Sequence, residues 1–363
     1  MSDLPKILVI RSPHAGRSQQ LPQALKLLRQ ANVELVDVLS IAELDGRPNQ
    51  GTHWKSEGID AVIAAGGDGV VGGVITHIIE SGLPLGIIPL GTANDIARSL
   101  RIPLDIQKAA EVISQGRSID IDMGVARPAQ QTPKESEAKS AAATAPIPSD
   151  TQKHGYFAHA LTVGLNVDFA RLATNVAIRR RFGRLTYPVA ALEVLHNYSV
   201  LDMNLLFEGL ALSPTFRGTA MEHSVISEEP VPLNCQAIQV AAINAPIFGG
   251  RWEFSIPGAT LEDHLLDIVI IEDWNQADIG ITINRFFAGT EETSFNPLGW
   301  HSRYPELQKA ELTWLPGVHH VRARSLSIMT TNDPQDMTLD GEIRGKTPGH
   351  IQIANERLHV LVP

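Results

Sequence analysis

The stretch from Asp60 to Val74 constrains the fold most, because it reads as a buried strand, a glycine turn and a helix in direct succession. Its apolar run 61–65 has the length of a strand, and from Val70 to Glu80 the apolar residues recur at helical spacing. Glycines allow positive φ and close approach to a ligand, and the first amides of a helix have no acceptor within it. Such a turn suits a phosphate group. The glycines of the turn are Gly66, Gly67 and Gly69.

Asp68 is the unusual member of this turn. A carboxylate at a phosphate-binding turn repels the ligand unless it holds a metal ion or accepts a proton. The alternative is a local role in capping the turn or the helix. Asp68 is therefore a candidate functional residue, and the capping role stays open beside it.

The first 125 residues alternate predicted strands with helices, a pattern that predicts a parallel sheet covered on both faces. We interpret residues 1–125 as a Rossmann-like α/β nucleotide-binding domain. A second glycine turn, at Gly91, follows the strand after the Gly67 turn, and both are expected to converge on one pocket because ligands bind at the carboxyl ends of parallel strands. The other elements predicted here are strands at 7–10, 33–38, 85–90 and 118–123 and a helix at 105–115.

The remaining chain changes character twice. Residues 126–153 are rich in Ala, Pro, Ser and Thr without apolar periodicity, which predicts a flexible insertion. Short β-rich runs over 154–363 predict an antiparallel β-sandwich domain, interrupted by one helix at 182–198. Its last strands are candidates for packing back on the first domain. His319 and His320 lack partners at metal-ligand spacing and are expected to be exposed turn residues.

Composition excludes several classes of protein. A length of 363 residues suits two domains, and a formal net charge of -10 argues against a nucleic-acid-binding protein. The single cysteine excludes an intramolecular disulfide and a cysteine-rich zinc site, which fits a reducing compartment. No apolar run approaches the roughly 20 residues that span a bilayer. We therefore expect a cytoplasmic protein with, at most, peripheral contact to a membrane.

Three familiar motifs of nucleotide-binding proteins either match this sequence poorly or are missing from it. The pattern Gly67-x-Gly69-x-x-Gly72 matches a dinucleotide-binding fingerprint, but it follows the third strand and no acidic residue is positioned for a ribose after the next one. Hydride transfer is therefore disfavoured. The chain also lacks the lysine-containing phosphate loop of nucleoside triphosphatases and the signature set of protein kinases.

The two glycine motifs together resemble the catalytic domain of the diacylglycerol kinase family, in particular its soluble bacterial lipid kinases; sphingosine kinases and NAD kinases are relatives. The motifs are Gly-Gly-Asp-Gly at 66–69 and Pro-Leu-Gly-Thr-Ala-Asn-Asp at 89–95. Further segments match the family in the same order, which makes the resemblance specific. They lie at 12–16, 122–124, 162–165, 182–187, 244–250, 257–259, 263–267 and 340–342.

The resemblance implies transfer of the γ-phosphoryl group of ATP, with Mg²⁺, to a lipid hydroxyl in the cleft between the domains. Diacylglycerol or a related glycerolipid is the leading acceptor. Backbone amides of Gly67, Gly69 and Val70 would hold phosphate oxygens, and hydroxyl groups would assist them. The nucleotide-binding candidates are Ser12, Ser40, Gly66, Gly67, Asp68, Gly69, Val70, Gly72, Gly91, Thr92 and Asn94.

Four carboxylates carry the implied chemistry. Asp68 together with Asp122 would hold the catalytic Mg²⁺ through water. Asp340 or Glu342 would take the proton from the lipid hydroxyl. Asp340 is slightly favoured.

The resemblance also implies a second, structural magnesium ion in the β-rich domain, held by the Asp263 carboxylate and the carbonyl oxygens of Thr260 and Leu265. The alternative is that Asp263 caps a turn. His264 stands where the family usually has glycine, and histidine tolerates positive φ less well than glycine.

Three substitutions within the glycine motif keep other functions open. Val70, Gly72 and Gly73 replace the threonine, asparagine and glutamate that the family usually carries. The loss of a hydroxyl removes one phosphate donor, and each glycine weakens the helix by roughly 1 kcal/mol relative to alanine. A NAD kinase and a catalytically weak nucleotide- or lipid-binding protein remain the alternatives. The oligomeric state also stays open.

The densest basic cluster is a candidate for contact with lipid. On a solvated helix face it would need no further explanation. Alternatively it docks on anionic lipid, at roughly 1 kcal/mol for each basic residue near the surface. The cluster consists of Arg179, Arg180, Arg181 and Arg184.

Overall fold

The structure is a computed structural model that describes the greater part of the chain. Its described residues are 4–13, 16–31, 33–44, 49–128, 155–165, 167, 168, 171, 198–212, 225–248, 254–256, 258–273, 304–312 and 317–363.

Within these residues the chain forms helices mainly in its first third and strands throughout. The helices are α1 Leu21–Gln30, α2 Gly51–Ser56, α3 Asp68–Ile78, α4 Asp95–Ser99 and α5 Ile106–Gln115. The strands of the first third are β1 Lys6–Arg11, β2 Glu34–Ser40, β3 Ala61–Gly66, β4 Leu85–Pro89, β5 Ser118–Ile121 and β6 Gly124–Pro128. Those that follow are β7 Gly155–Phe157, β8 Ala160–Gly164, β9 Leu201–Leu212, β10 Val225–Ile226, β11 Val231–Ile243, β12 Ile247–Phe248, β13 Phe254–Ser255, β14 Leu266–Glu272, β15 Val318–Thr330, β16 Asp336–Leu339, β17 Glu342–Lys346, β18 Gly349–Ile353 and β19 Leu358–Leu361.

The first sheet has six strands in the order β2-β1-β3-β4-β19-β5. Strands β1 to β4 are parallel, so their carboxyl ends lie along one edge. Strand β19 comes from the end of the chain and pairs parallel with β4 and antiparallel with β5. The chain therefore returns to its first domain to complete the sheet.

The central strands β1, β3 and β4 are buried on both faces, as their continuous apolar runs require, whereas the edge strand β2 has no fully buried residue. Strand β3 is buried over its whole length, and α3 buries most of its apolar residues. Helix α5 is capped at its start by Asp105, whose Oδ1 accepts from the Lys108 amide at 3.0 Å, and at its end by Gly116 with φ 66°. A polar N-cap and a left-handed glycine are the usual bounds of a helix.

The second sheet is antiparallel and has eleven strands. Its path runs β17-β16-β8-β11-β14-β15-β18-β6-β7, with β9 pairing β11, β15 and β10. Its main apolar core is separate from that of the first sheet. The predicted fold, a Rossmann-like α/β domain followed by an antiparallel β-sandwich domain, is confirmed.

The largest error of the sequence interpretation concerns two histidines. His319 and His320 were expected in an exposed turn, but they lie inside β15 at 0% and 1% exposure. Their polarity is balanced by buried carboxylates: His319 Nδ1 lies 2.6 Å from Glu311 Oε1, and His320 Nε2 lies 2.7 Å from Asp267 Oδ1. The partners are distant in sequence, and a local pattern cannot reveal them.

Candidate functional site

The two glycine turns meet at the carboxyl edge of the first sheet. The Gly66 carbonyl accepts from the Leu90 amide at 2.8 Å and the Gly91 amide at 3.2 Å. A Cβ on Gly91 would lie 2.3 Å from the Gly67 Cα, which is closer than any side chain permits. The convergence of the two turns therefore depends on glycine at position 91.

Asn94 holds the second turn in shape. Its Oδ1 accepts from the Gly91 amide at 2.9 Å, and its Nδ2 donates to the Gly91 carbonyl at 3.0 Å. The residue is 3% exposed and has φ 54°, a left-handed conformation that asparagine adopts more readily than most residues. Asn94 thus shapes the turn through its side chain, which is a positioning role.

Helix α3 begins at Asp68, directly after the first glycine turn. The Asp68 Oδ1 accepts from the Ile96 amide at 3.0 Å, which ties the start of α3 to α4. No hydrogen bond from the described residues reaches its Oδ2. The carboxylate is thereby oriented by one oxygen, while the other remains available at the turn.

The Val70 amide, which was predicted to donate to a phosphate, is used within the chain instead. It donates to the Gly67 carbonyl at 2.9 Å, as the Val71 amide does at 3.1 Å. A closed first helical turn therefore uses the Val70 donor within the chain, which corrects the expectation that it holds a phosphate. The amides of Asp68 and Gly69 precede it and have no intrahelical acceptor.

The sheet order brings the serines to the same edge. Ser12 follows β1 directly, and Ser40 ends β2 opposite Arg11. Since β1 and β2 run parallel to β3 in the same sheet, both serines lie on the side of the glycine turns. Thr92 lies on that side too, with its Oγ1 2.9 Å from an ideal Cβ on Gly16.

A cavity of about 490 Å³ opens beside the converging turns. The two domains both contribute to its wall, because Glu342 and Arg344 belong to β17 of the second sheet. Six of its lining residues are among the predicted site residues: Ser12, Gly67, Gly69, Val70, Gly91 and Glu342. The remaining lining residues are Ile41, Gly73, Thr76, His77 and Arg344.

Sequence reasoning missed Thr76, His77 and Arg344. Thr76 and His77 lie two turns into α3 on the face that continues from Val70 and Gly73, so helical spacing from the motif could have found them. Arg344 stands two residues after Glu342 in β17, and residues two apart share one face of a strand. Its side chain is therefore on the face of Glu342.

The two candidate bases occupy different environments. The Asp340 Oδ1 accepts from the His159 and Ala160 amides at 2.8 and 3.1 Å, and its Oδ2 accepts from the Ala158 amide at 2.9 Å. Burial raises the pKa of Asp340, and the nearby His159 and these three amides act against that rise. Asp340 thus shapes the chain where β7 leads into β8.

Glu342 points its carboxylate toward the first glycine turn. Its Oε1 lies 3.7 Å from an ideal Cβ on Gly69, and its Oε2 accepts from Arg344 Nε at 3.1 Å and Nη2 at 2.5 Å. The Asp340 Oδ2 lies 3.5 Å from an ideal Cβ on Gly72. Both carboxylates therefore lie over the first turns of α3, but Glu342 is the one that lines the cavity.

Asp122 belongs to a separate cluster. Its Oδ2 accepts from the His264 amide at 2.7 Å, and its Oδ1 lies 3.0 Å from His264 Nδ1 and 3.2 Å from Arg357 Nε. Its carbonyl accepts from Asn244 Nδ2 at 2.8 Å. The carboxylate that was expected to share a metal ion with Asp68 is thus engaged by two basic side chains.

The residues implied for a structural magnesium do not fit one. The Asp263 Oδ1 accepts from the Leu265 amide at 3.1 Å, and its Oδ2 lies 3.2 Å from Arg322 Nη1. Burial and Asp267 raise the pKa of Asp263, while the Leu265 amide and Arg322 lower it. His264 has φ 58°, so the position does require the conformation that favours glycine.

Some predicted features lie outside the described residues. They are the basic cluster Arg179 to Arg184, all but the last residue of the helix predicted at 182–198, and positions 129–153 of the insertion predicted at 126–153. Among the helices that the structure does describe, none is long and apolar enough to cross a membrane.

Comparison with known proteins gives two family matches in succession. Residues 6–126 match the diacylglycerol kinase catalytic domain, and residues 160–293 match the YegS C-terminal NAD kinase beta sandwich-like domain. The diacylglycerol kinase of Staphylococcus saprophyticus is 23% identical over 360 residues, which cover 98% of this chain and 94% of that protein.

Solved structures agree on the fold. A crystal structure from Bacillus anthracis str. Sterne superposes with a TM-score of 0.64 at 20% identity, covering 100% of this chain and 97% of that one. A second structure, of a diacylglycerol kinase from the same organism, has a TM-score of 0.58 at 17% identity, covering 100% and 98%. At these identities the likeness concerns the fold alone.

Proposed function

We propose, from the match of residues 6–126 to the diacylglycerol kinase catalytic domain, that the chain transfers the γ-phosphoryl group of ATP to the hydroxyl group of a lipid, with diacylglycerol or a related glycerolipid as the acceptor. The observation that carries the proposal is the cavity itself. It places a glycine turn with free helix-start amides opposite a carboxylate from the other domain. Phosphoryl transfer needs those two parts: a cradle for the phosphates and a group that accepts the proton of the attacking hydroxyl.

The phosphate side of the cavity is built from backbone and one cation. The amides at the start of α3 and the hydroxyl of Ser12 would donate to phosphate oxygens. Arg344, which also lines the cavity and donates to Glu342 Oε2, adds a positive charge to the cavity wall. Catalysis of this reaction rests mainly on positioning and charge stabilisation, and these groups supply both.

Glu342 is the base that the geometry favours over Asp340. A base must reach the proton it takes, and the Glu342 carboxylate lines the cavity while both Asp340 oxygens accept backbone amides. As the lipid oxygen bonds to the γ-phosphorus, its proton passes to Glu342 and the bond to the β–γ bridging oxygen breaks, which releases ADP. Asp340 supports this step only by shaping the strand that leads to Glu342.

Asp68 fits the role of holding the magnesium ion that accompanies ATP. Its carboxylate is fixed by the Ile96 amide through Oδ1, and its Oδ2 is left for a metal-bound water. When bound, the ion would neutralise charge on the phosphates. Asp122 does not share this role, since His264 and Arg357 engage its carboxylate.

The acceptor has to be reached at a membrane or micelle surface. We propose that the enzyme is cytoplasmic and touches the membrane peripherally, with Arg179, Arg180, Arg181 and Arg184 as the contact. Replacing Arg179 to Arg181 with glutamine should weaken binding to anionic vesicles, and unchanged binding would remove the cluster from this role.

Transfer of radiolabelled γ-phosphate tests the proposed activity. The protein is supplied with ATP and Mg²⁺ and with mixed micelles of diacylglycerol, ceramide, sphingosine or phosphatidylglycerol, and NAD is offered in a parallel reaction. Label in diacylglycerol is the expected outcome. Label in NAD alone would replace the lipid kinase by a NAD kinase. ATP binding without any transfer would favour a nucleotide-binding protein weakened by Val70, Gly72 and Gly73.

A further inference from the structure

Three aspartates gather where the two sheets adjoin. Asp122 follows β5 of the first sheet and is 2% exposed, whereas Asp267 lies in β14 of the second sheet and is 1% exposed. Asp263 lies in the loop before β14 with a side chain that is 25% exposed. Charges removed from water in this way are costly unless a cation is close.

A basic side chain of the chain itself reaches each of the three. Arg357 Nε lies 3.2 Å from Asp122, Arg322 Nη1 lies 3.2 Å from Asp263, and His320 Nε2 lies 2.7 Å from Asp267. His264 adds a second contact to Asp122, 3.0 Å from its Oδ1. Each carboxylate therefore has a basic partner close by, and we call these neighbouring groups the junction cluster: Asp122, Asp263, Asp267, His264, His320, Arg322 and Arg357.

The junction cluster connects elements of both sheets. Arg357 directly precedes β19, the strand that completes the first sheet, and it pairs with the aspartate that follows β5. Arg322 lies in β15 of the second sheet, and its partner Asp263 is next to His264, which contacts Asp122 in turn. Of these contacts, the one between His264 and Asp122 crosses from the second domain to the first.

This arrangement is incompatible with a magnesium ion on Asp263. Magnesium requires oxygen ligands at about 2.0–2.1 Å in octahedral geometry, whereas one Asp263 oxygen accepts an amide and the other faces a guanidinium. A permanently charged guanidinium at 3.2 Å from the carboxylate also repels a divalent cation. His264 replaces the usual glycine and uses its ring to contact Asp122, despite the strain of φ 58°.

We propose that Arg322 takes the place of the structural magnesium ion at Asp263, while Arg357 and His264 engage Asp122, so that the junction of the two domains needs no divalent metal. Arg322 supplies the positive charge at Asp263, and His264 supplies the contact from the second domain to Asp122 of the first. The inference stands apart from the proposed kinase activity, because it concerns only the joining of the domains.

Thermal unfolding of the full chain without nucleotide tests the proposal. After treatment with a chelator, the protein is melted with EDTA and with millimolar Mg²⁺ or Ca²⁺. We expect the same Tm under all three conditions, and no retained metal by elemental analysis. Arg322→Ala should lower the Tm, because it leaves Asp263 without its cation, whereas Arg324→Ala should leave it unchanged. Arg324 lies two residues along the same strand and is exposed, which makes it a matched control.

Two outcomes would overturn the proposal. One is that the Tm of the unmodified chain rises with Mg²⁺, that the same rise is seen in Asp68→Asn, and that no rise is seen in Asp263→Asn. The other is an Arg322→Ala protein as stable as Arg324→Ala. The first measurement uses the unmodified protein, so the proposal can be judged even if the Arg322 variant does not fold. Neither result depends on whether the protein transfers phosphate.

Discussion

At the scale of single residues, the different environments of Asp340 and Glu342 predict different effects of mutation: a loss of stability at Asp340 and a loss of phosphoryl transfer at Glu342. Glu342→Gln should lower phosphoryl transfer by about 10²–10⁴-fold with ATP binding retained, because it removes a base without removing a buried partner. Asp340→Asn should instead destabilise the fold by about 1–3 kcal/mol, because an amide cannot accept all three backbone donors. Turnover and urea unfolding, measured on both variants, separate the two roles. Full activity in Glu342→Gln would exclude it as the base.

Arg344 allows a prediction about nucleotide discrimination. A guanidinium that binds the terminal phosphate should favour ATP over ADP, so Arg344→Gln should weaken ATP binding by roughly ten- to a hundredfold and ADP binding much less. Calorimetry with each nucleotide measures the difference. Lys346→Gln is the control, because Lys346 lies on the same strand but pairs with Asp336 and is not among the cavity residues. An equal loss for ATP and ADP would contradict a contact with the terminal phosphate.

At the scale of elements, the meeting of the two glycine turns is the feature most sensitive to a single methyl group. Gly91→Ala would place a Cβ 2.3 Å from the Gly67 Cα, so the turns must separate. We expect the variant to lose roughly 1–3 kcal/mol of stability and also to lose nucleotide binding. Equilibrium dialysis with ATP and thermal unfolding report the two effects.

Gly72→Ala is the matched control for that experiment. A Cβ there meets only the Asp340 Oδ2 at 3.5 Å, an ordinary contact, and the residue lies within α3. Alanine should therefore stabilise the helix by about 1 kcal/mol and leave nucleotide binding intact. If both variants bound ATP normally, the convergence of the turns would not be what holds the nucleotide.

Strand β15 carries a buried charge that makes stability depend on pH. Burial lowers the pKa of His319, but the carboxylates of Glu272 and Glu311 outweigh it and raise the pKa to about 9 from 6.5. Because the pKa is raised in the folded state, protonation of His319 stabilises the fold. This stabilisation is fully present below pH 6.5 and is lost as the pH rises through about 9. Unfolding free energies in urea should therefore decline between these values. Glu311→Gln should flatten the decline, and an equally steep decline in that variant would contradict the assignment.

At the scale of the whole molecule, the return of the chain to its first sheet makes the two domains depend on each other. Val360 is 0% exposed in β19, between β4 and β5. Val360→Asp should cost more than about 4 kcal/mol, because it places an unpaired charge in the core of the first domain. Pro363→Asp, at an exposed position three residues later, should be nearly neutral. Hydrogen exchange in β4 and β5 measures the effect, and unchanged protection there would show that the sheet does not need β19.

The local sequence pattern was enough to predict much of the fold and the two glycine turns at the centre of the site. The strand, turn and helix around Asp68 were predicted because glycine spacing and helical periodicity depend only on neighbouring residues. Parallel order then predicted that the turns at Gly67 and Gly91 share an edge, which the contact between their backbones bears out. The fold of both domains followed from the same kind of periodicity.

The tertiary structure alone decided what depends on contacts between distant residues. It buried His319 and His320 beside carboxylates, engaged Asp122 with His264 and Arg357, and bound Asp340 to three backbone amides. It also brought Arg344 to the cavity beside the glycine turns and Arg322 to Asp263. A carboxylate looks the same in sequence whether it faces a metal ion, a proton or a guanidinium. Its role is fixed by the electrostatic partners that folding places around it, and those partners are remote along the chain.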